Sequence, residues 1–159
     1  MASGKPEKAF FYNASQRDVV ADIAWLAENI FKKNNRIVIF CKDQETAEVV
    51  DDSLWSCRDD SFIPHSIKRH EKASLDPILV TADLDGGYEH NVLLALNGIL
   101  IKEKDWQRFS KIYYFFDDQD IKEKENARSM WKNFSSLNID CKYWINEKNK
   151  WVLANTLRK

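Results

Sequence analysis

Apolar positions along the chain fall into two recurring patterns, short continuous runs and longer stretches with helical spacing. The runs are rich in β-branched and aromatic residues, as in RIVIFC at 36–41, which is typical of strands buried on both faces. They predict strands at 9–12, 36–41, 77–82, 91–97, 111–117 and 140–146, the last of which closes the sheet. The intervening stretches predict helices at 16–33, 44–54, near 103–110 and at 119–137.

The stretch 55–76 has no clear period, contains Pro64 and is rich in charges, so it is interpreted as a loop with a short strand near 61–63. Asp85-Gly86-Gly87 is a turn signal between the strands on either side of it. We expect a flexible N-terminus at 1–8, one α/β domain at 9–150 and a C-terminal tail at 151–159.

Strands and helices alternate through most of the chain. This order predicts right-handed crossovers and a mainly parallel sheet with helices on both faces, a Rossmann-like α/β fold in a single domain. A nucleotide loop is missing, because Gly4, Gly86, Gly87 and Gly98 are the only glycines and form neither G-x-G-x-x-G nor a P-loop. We therefore expect no nucleotide cofactor.

Composition narrows the function classes further. The net charge is −1, so any binding of nucleic acid or of an acidic partner must come from a local patch. Cys41, Cys57 and Cys141 are odd in number and lack paired spacing, which argues against a disulfide framework and against zinc. No run is suited to crossing a membrane and no signal-peptide core is present, which predicts a cytoplasmic protein.

One histidine and one pair of carboxylates are candidates for catalytic or metal chemistry. His65 lies four residues from Ser61 without a glycine-flanked nucleophile elbow, and a structural or exposed histidine explains it better. Asp83 and Asp85 near a strand end resemble ordinary turn chemistry more than metal ligands. We expect no catalytic site and no bound metal.

The helix at 119–137 carries the most informative side-chain pattern. On a helical wheel with Lys124 at zero, Arg128 falls at about +40°, Lys132 at about +80° and Trp131 at about −20°. Ala127, Met130, Phe134 and Leu137 form the apolar side that faces the sheet. The basic side suits an acidic peptide with an apolar end. The alternative is a solvated basic face on which Trp131 only covers the core.

A second feature is the pair Leu54-Trp55, followed by Phe62-Ile63-Pro64-His65 after a polar span. Large aromatic residues around an irregular segment either complete the core or project as anchors of a protein interface. The residues alone leave both interpretations open.

The segment DDSLWSCRDDSFIPHSI resembles the central signature of the chi subunit family of DNA polymerase III, in which Leu-Trp is followed at this spacing by Ser-Phe-x-Pro-His. AFFY, RIVIFC, VLLALN and the Ala127–Lys132 segment agree in order, so the resemblance covers about residues 9–146. It implies a non-catalytic accessory subunit associated with the clamp loader. It also implies that Lys124, Arg128, Trp131 and Lys132 bind the acidic C-terminal tail of single-stranded DNA-binding protein (SSB), so that DNA is reached through SSB. Trp55, Phe62 and Pro64 would face a psi subunit or a helicase-like partner.

Two other function classes remain as alternatives. A small nucleotide-dependent α/β enzyme would require a phosphate loop or converging titratable groups. A module that binds single-stranded nucleic acid directly would use aromatic residues between cations, and the near-neutral net charge argues against it.

Overall fold

The computed structural model describes residues 6–15, 19–33, 35–56, 65–67, 78–84, 90–148 and 150–154. Within these ranges four helices surround one eight-stranded sheet. The strands are β1 (Lys8–Asn13), β2 (Ile37–Phe40), β3 (His65–Ile67), β4 (Ile78–Thr81), β5 (Val92–Ala95), β6 (Lys111–Phe116), β7 (Asp140–Glu147) and β8 (Lys150–Ala154). The helices are α1 (Val19–Phe31), α2 (Gln44–Ser56), α3 (Glu103–Trp106) and α4 (Ile121–Ser136).

The strand order is β3-β4-β2-β5-β6-β1-β7-β8, and every neighbouring pair is parallel except β7 with β8. The predicted mainly parallel α/β sheet is therefore confirmed. The first strand of the chain lies deep inside the sheet, since β1 pairs with β6 on one side and with β7 on the other.

Side chains of alternating residues in the central strands enter two separate cores, one on each face of the sheet. On one face α1 and α2 bury Ile23, Ala27 and Val50 against the sheet. On the other face α4 and α3 bury Phe134 and Trp106, whose rings meet edge-on at 4.9 Å between centroids. Helices thus cover both faces, as the sequence predicts.

One expectation about the sheet is corrected. β7 does not close it, because β8 pairs antiparallel with β7 from Glu147↔Lys150 to Tyr143↔Ala154. This strand includes Trp151–Ala154 of the expected C-terminal tail. The strands on either side of the turn signal, β4 and β5, are not sheet neighbours, because β2 lies between them.

Element boundaries differ by a few residues at several ends. α1 begins at Val19, α2 continues to Ser56, and α3 has a single turn at Glu103–Trp106. A third strand is present at His65–Ile67, whereas the one suggested near 61–63 lies outside the described residues. No helix in the described ranges has the length and apolar character that crossing a bilayer requires.

Candidate peptide-binding surface on helix α4

Helix α4 is held in place by its ends and by its apolar side. Asp120 caps the N-terminus, with its carboxylate accepting a hydrogen bond from the Glu123 N–H at 3.1 Å. The helix ends where Asn138 adopts a φ of 62°, which lets the Ile139 N–H return to the Phe134 carbonyl at 3.0 Å. These contacts fix which side chains face solvent.

The predicted apolar side of α4 is confirmed at three of its four positions. Ala127, Met130 and Phe134 are buried against the sheet. Leu137 was wrongly placed inward, because the helix stops before it and its side chain is 36% exposed. The helical wheel therefore places side chains correctly only up to Ser136, where the helix ends.

Trp131 lies at the seam between the core and solvent. Its half-buried indole packs edge-on against Phe11, with 5.1 Å between centroids, and against Tyr143 at 6.4 Å. The indole covers the core and also offers an accessible apolar edge beside the basic side of the helix. Both interpretations of Trp131 are thus compatible with its place in the fold.

The three cations follow one another along α4. Lys124, Arg128 and Lys132 are four residues apart, which corresponds to about 6 Å of rise for each step. Lys124 and Arg128 are partly buried, whereas Lys132 is exposed. None of them has an ion pair with a carboxylate of the described ranges.

Arg128 is the most unusual of the three. Its Nε atom is buried and has no hydrogen-bond partner in the described part of the chain. A buried donor without an acceptor costs free energy. A carboxylate from another molecule that accepts a hydrogen bond from this guanidinium would remove that cost. The remaining nitrogens of the planar group belong to a side chain that is only partly buried.

The electrostatic character of α4 changes along its length. Its first turn lies among Asp117, Asp120 and Glu123, and the Asp117 N–H donates to the Glu123 carboxylate at 2.9 Å. Burial raises the pKa of Glu123, and the nearby Asp120 and Asp117 act in the same direction against the lowering effect of that hydrogen bond. An acidic ligand would therefore be repelled at this end and attracted from Lys124 onward.

Tyr143 belongs to the same surface and was not selected from the sequence. Its ring lies beside Trp131, and its hydroxyl accepts a hydrogen bond of 3.4 Å from Asn13 Nδ2. The available signal was the alternation in β7, since Cys141 and Tyr143 share the side that faces α4. Tyr143 extends the apolar wall that Trp131 offers.

The second predicted surface falls mostly outside the described residues. Trp55 lies in the last turn of α2 rather than in a loop, but its side chain is not among those described. Phe62 and Pro64 lie outside the described ranges altogether. Their assignment to a partner surface stays a prediction.

A cavity of about 350 Å³ lies at the carboxyl ends of the central strands, where doubly wound sheets often bind ligands. Its lining includes Asn97, Asp117 and Glu123. Carboxylates at this position repel phosphate groups, which does not favour a nucleotide as ligand. In the described ranges, no group of three or more His, Cys, Asp or Glu residues is arranged to hold a metal ion.

Fold and surface together define a doubly wound α/β domain with a basic, aromatic-edged helix on one face. A family model described as DNA polymerase III chi subunit, HolC, matches residues 7–142 of the 159. The chain therefore belongs to the DNA polymerase III chi subunit family, whose members are accessory subunits of the replicative polymerase. The resemblance found in the sequence is confirmed. No protein of curated function matches this chain.

Proposed function

We propose that this chain links the DNA polymerase III holoenzyme and its clamp loader to SSB by binding the acidic C-terminal tail of SSB. One observation carries the proposal: α4 presents, beside a half-buried indole, three cations without an ion pair among the described residues, and the buried Arg128 Nε has no hydrogen-bond partner there either. This combination matches a peptide that has both carboxylates and an apolar end.

Each residue has a distinct role in the proposed contact. Arg128 receives the terminal α-carboxylate, because a guanidinium can donate two parallel hydrogen bonds to it. Lys124 and Lys132 attract the acidic residues upstream, and their contribution weakens as salt increases. Trp131, with Tyr143 beside it, forms the wall for the apolar terminal side chain.

Titration calorimetry with a peptide of the SSB tail tests the assignment. Arg128→Ala should weaken binding roughly ten- to a hundredfold, because a charged hydrogen bond contributes about 1.5–3 kcal/mol. Lys122→Ala is the matched control, since Lys122 is exposed on the same helix at about 160° from Lys124 on the wheel. Unchanged affinity in folded Arg128→Ala would reject the site.

A second partner is proposed for the surface of Trp55, Phe62 and Pro64, either a psi subunit or a helicase-like protein. The support is the family membership together with two large aromatic residues, a type enriched among interface anchors. Phe62→Ala should weaken capture of that partner from an extract and leave binding of the SSB tail intact. Loss of the folded state in this variant would instead show that Phe62 completes the core.

The proposed role is non-catalytic and cytoplasmic, within one domain at 9–150, with DNA reached through SSB. Support for the non-catalytic part comes from the cavity at the strand ends, where Asp117 and Glu123 oppose phosphate binding. A calorimetric screen against nucleoside triphosphates should give no binding. Tight, stoichiometric binding would favour the nucleotide-dependent enzyme.

A further inference from the structure

The face of the sheet opposite α4 carries aromatic rings and lysines side by side. β1 lies between β6 and β7, so residues in register form rows across the three strands. Side chains at alternate positions share a face, and those that share it with buried Tyr12 form three rows. From the amino ends of the strands, the rows are Lys111-Lys8-Asp140, Tyr113-Phe10-Lys142 and Phe115-Tyr12-Trp144.

The rings on this face pack against one another and remain partly exposed. Phe10 stacks on Tyr113 with 4.8 Å between centroids and 21° between planes, and both side chains are half-buried. Trp144, also half-buried, stacks on Tyr12 at 6.3 Å and 14°. Each of these rings thus packs against a neighbouring ring and keeps part of its surface exposed, and we refer to this face as the platform.

The charges on this platform are mainly positive. Lys8, Lys111 and Lys142 share it, and Asp140 is the one carboxylate among the described residues of β1, β6 and β7 on the same face. The Lys142 ammonium lies 4.0 Å from the Asp140 carboxylate, in a contact that leaves the Lys142 side chain 40% exposed. An anionic ligand would therefore be attracted despite the near-neutral chain.

We infer that this face, defined by Lys8, Phe10, Lys111, Tyr113, Lys142 and Trp144, binds single-stranded nucleic acid. Unpaired bases stack on the three partly open rings, and the backbone phosphates contact the three lysines. A duplex keeps its base faces stacked internally and cannot use the rings in this way. An acidic peptide would match the lysines but would not use the exposed aromatic surface beside them.

The inference goes beyond the proposed contact with SSB and does not depend on it. Phe11 and Tyr143, which touch Trp131 of α4, alternate with the platform residues along β1 and β7. The platform and the basic side of α4 therefore lie on opposite faces of one sheet. Both could be occupied at once, so the protein would contact the exposed strand as well as SSB.

Fluorescence anisotropy with a labelled oligothymidylate and the full chain, without SSB, tests the site. Wild type should bind weakly, roughly in the micromolar range at low salt. Phe10→Leu and Trp144→Leu keep an apolar side chain but remove the ring, and each should weaken binding about five- to a hundredfold. In Lys142→Gln, the slope of log affinity against log salt concentration should become shallower by about 0.7, the value for one phosphate contact with a single strand.

Lys122→Gln, an exposed change on α4, is the matched control and should bind the oligonucleotide like wild type. If an aromatic variant fails to fold, Lys111→Gln and Lys142→Gln test whether the platform binds the oligonucleotide, since both remove only a charged group at the surface. The inference would be overturned by absence of binding in wild type at low salt, by equal competition from a duplex, or by loss in Lys122→Gln but not in the platform variants. A platform variant that weakens SSB-tail binding but not oligonucleotide binding would also overturn it, as it would identify a protein interface.

Discussion

The indole of Trp131 lies edge-on to the ring of Phe11, with 5.1 Å between their centroids. Phe11 is completely buried in β1 and also lies 5.2 Å from Tyr114 of β6, so this contact ties α4 to the middle of the sheet. The proposed peptide surface is thus part of the packing that keeps the helix in place.

Replacement of Trp131 should affect both stability and affinity. We expect Trp131→Ala to reduce the free energy of unfolding by about 1–3 kcal/mol, because a half-buried ring and its edge-on contacts are lost. Tail affinity should fall as well, whereas Trp131→Phe should preserve much of both. Urea denaturation and calorimetry measure the two effects, with exposed Ser129→Ala as the control on the same helix. An unchanged urea midpoint would show that the indole does not support the fold.

Because the pKa of Glu123 is raised, we expect Glu123→Gln to increase the free energy of unfolding in a pH-dependent way. A carboxyl that binds its proton more tightly when folded contributes its full stability below the unfolded pKa of about 4.3, and loses it as pH rises through the folded pKa. Gln removes the penalised charge yet can still accept from the Asp117 N–H. The variant should therefore be modestly more stable than wild type at pH 7 and show no gain below about pH 4.

Denaturation at the two pH values measures this difference. Exposed Glu125→Gln on the same helix controls for the general loss of one negative charge. An equal increase in the free energy of unfolding at both pH values would show that the buried charge of Glu123 is not the cause.

Gly98 is predicted to tolerate no side chain. Its φ is +53°, and an added Cβ would lie 2.7 Å from Glu123 Cβ and 2.9 Å from its Cα. The backbone is held there, since the Gly98 N–H donates to the Phe115 carbonyl at 2.9 Å. Gly98→Ala should lower the free energy of unfolding by about 2–4 kcal/mol, from left-handed strain and overpacking together.

Asn97→Ala separates the two contributions to that loss. Asn97 has a φ of 64° and already carries a Cβ, so this variant adds no atom and changes only how well the residue suits the left-handed backbone. Its loss, measured by thermal or urea denaturation, should be smaller than that of Gly98→Ala. Equal losses would mean that the contact with α4 is unimportant.

The thiols of Cys41 and Cys141 should react slowly in the native protein. Burial raises the pKa of Cys41 to about 12, with Asp43 adding to the rise, and raises that of Cys141 to about 11. Since the thiolate is the reactive form, alkylation at pH 8 should be far slower than in urea, and slowest at Cys41. Peptide mapping by mass spectrometry resolves each site, and native reactivity of Cys41 equal to that in urea would contradict the expectation.

Local periodicity explains why α4 and the central strands could be predicted from the sequence. The inward side of α4 repeats with the helical period, and Ile37–Phe40 is buried in one continuous apolar run. β8 was not predicted, because the turn before it has no glycine. Its positive φ of 54° is adopted by Lys148, a residue that does not signal a turn in the sequence. Its pairing with β7 is decided by the fold around it rather than by its own pattern.

The aromatic and lysine platform could not be predicted in the same way. Phe10, Tyr113 and Lys142 form one row only because the strand order places β1 between β6 and β7. The composition does not indicate the lysine cluster either, since the net charge of −1 is a sum over the whole chain. Long-range register brings such groups together, and single-sequence patterns do not report register.

The position of β1 between two late strands has a consequence for synthesis of the chain. β1 ends at Asn13, while its partners begin at Lys111 and Asp140. At 5–20 residues per second, a ribosome needs about 5–20 s to make the roughly one hundred residues that separate β1 from β6. During that time both edges of an aromatic strand lack their final partners. The first strand is therefore open to non-native pairing until the last third of the protein has been made.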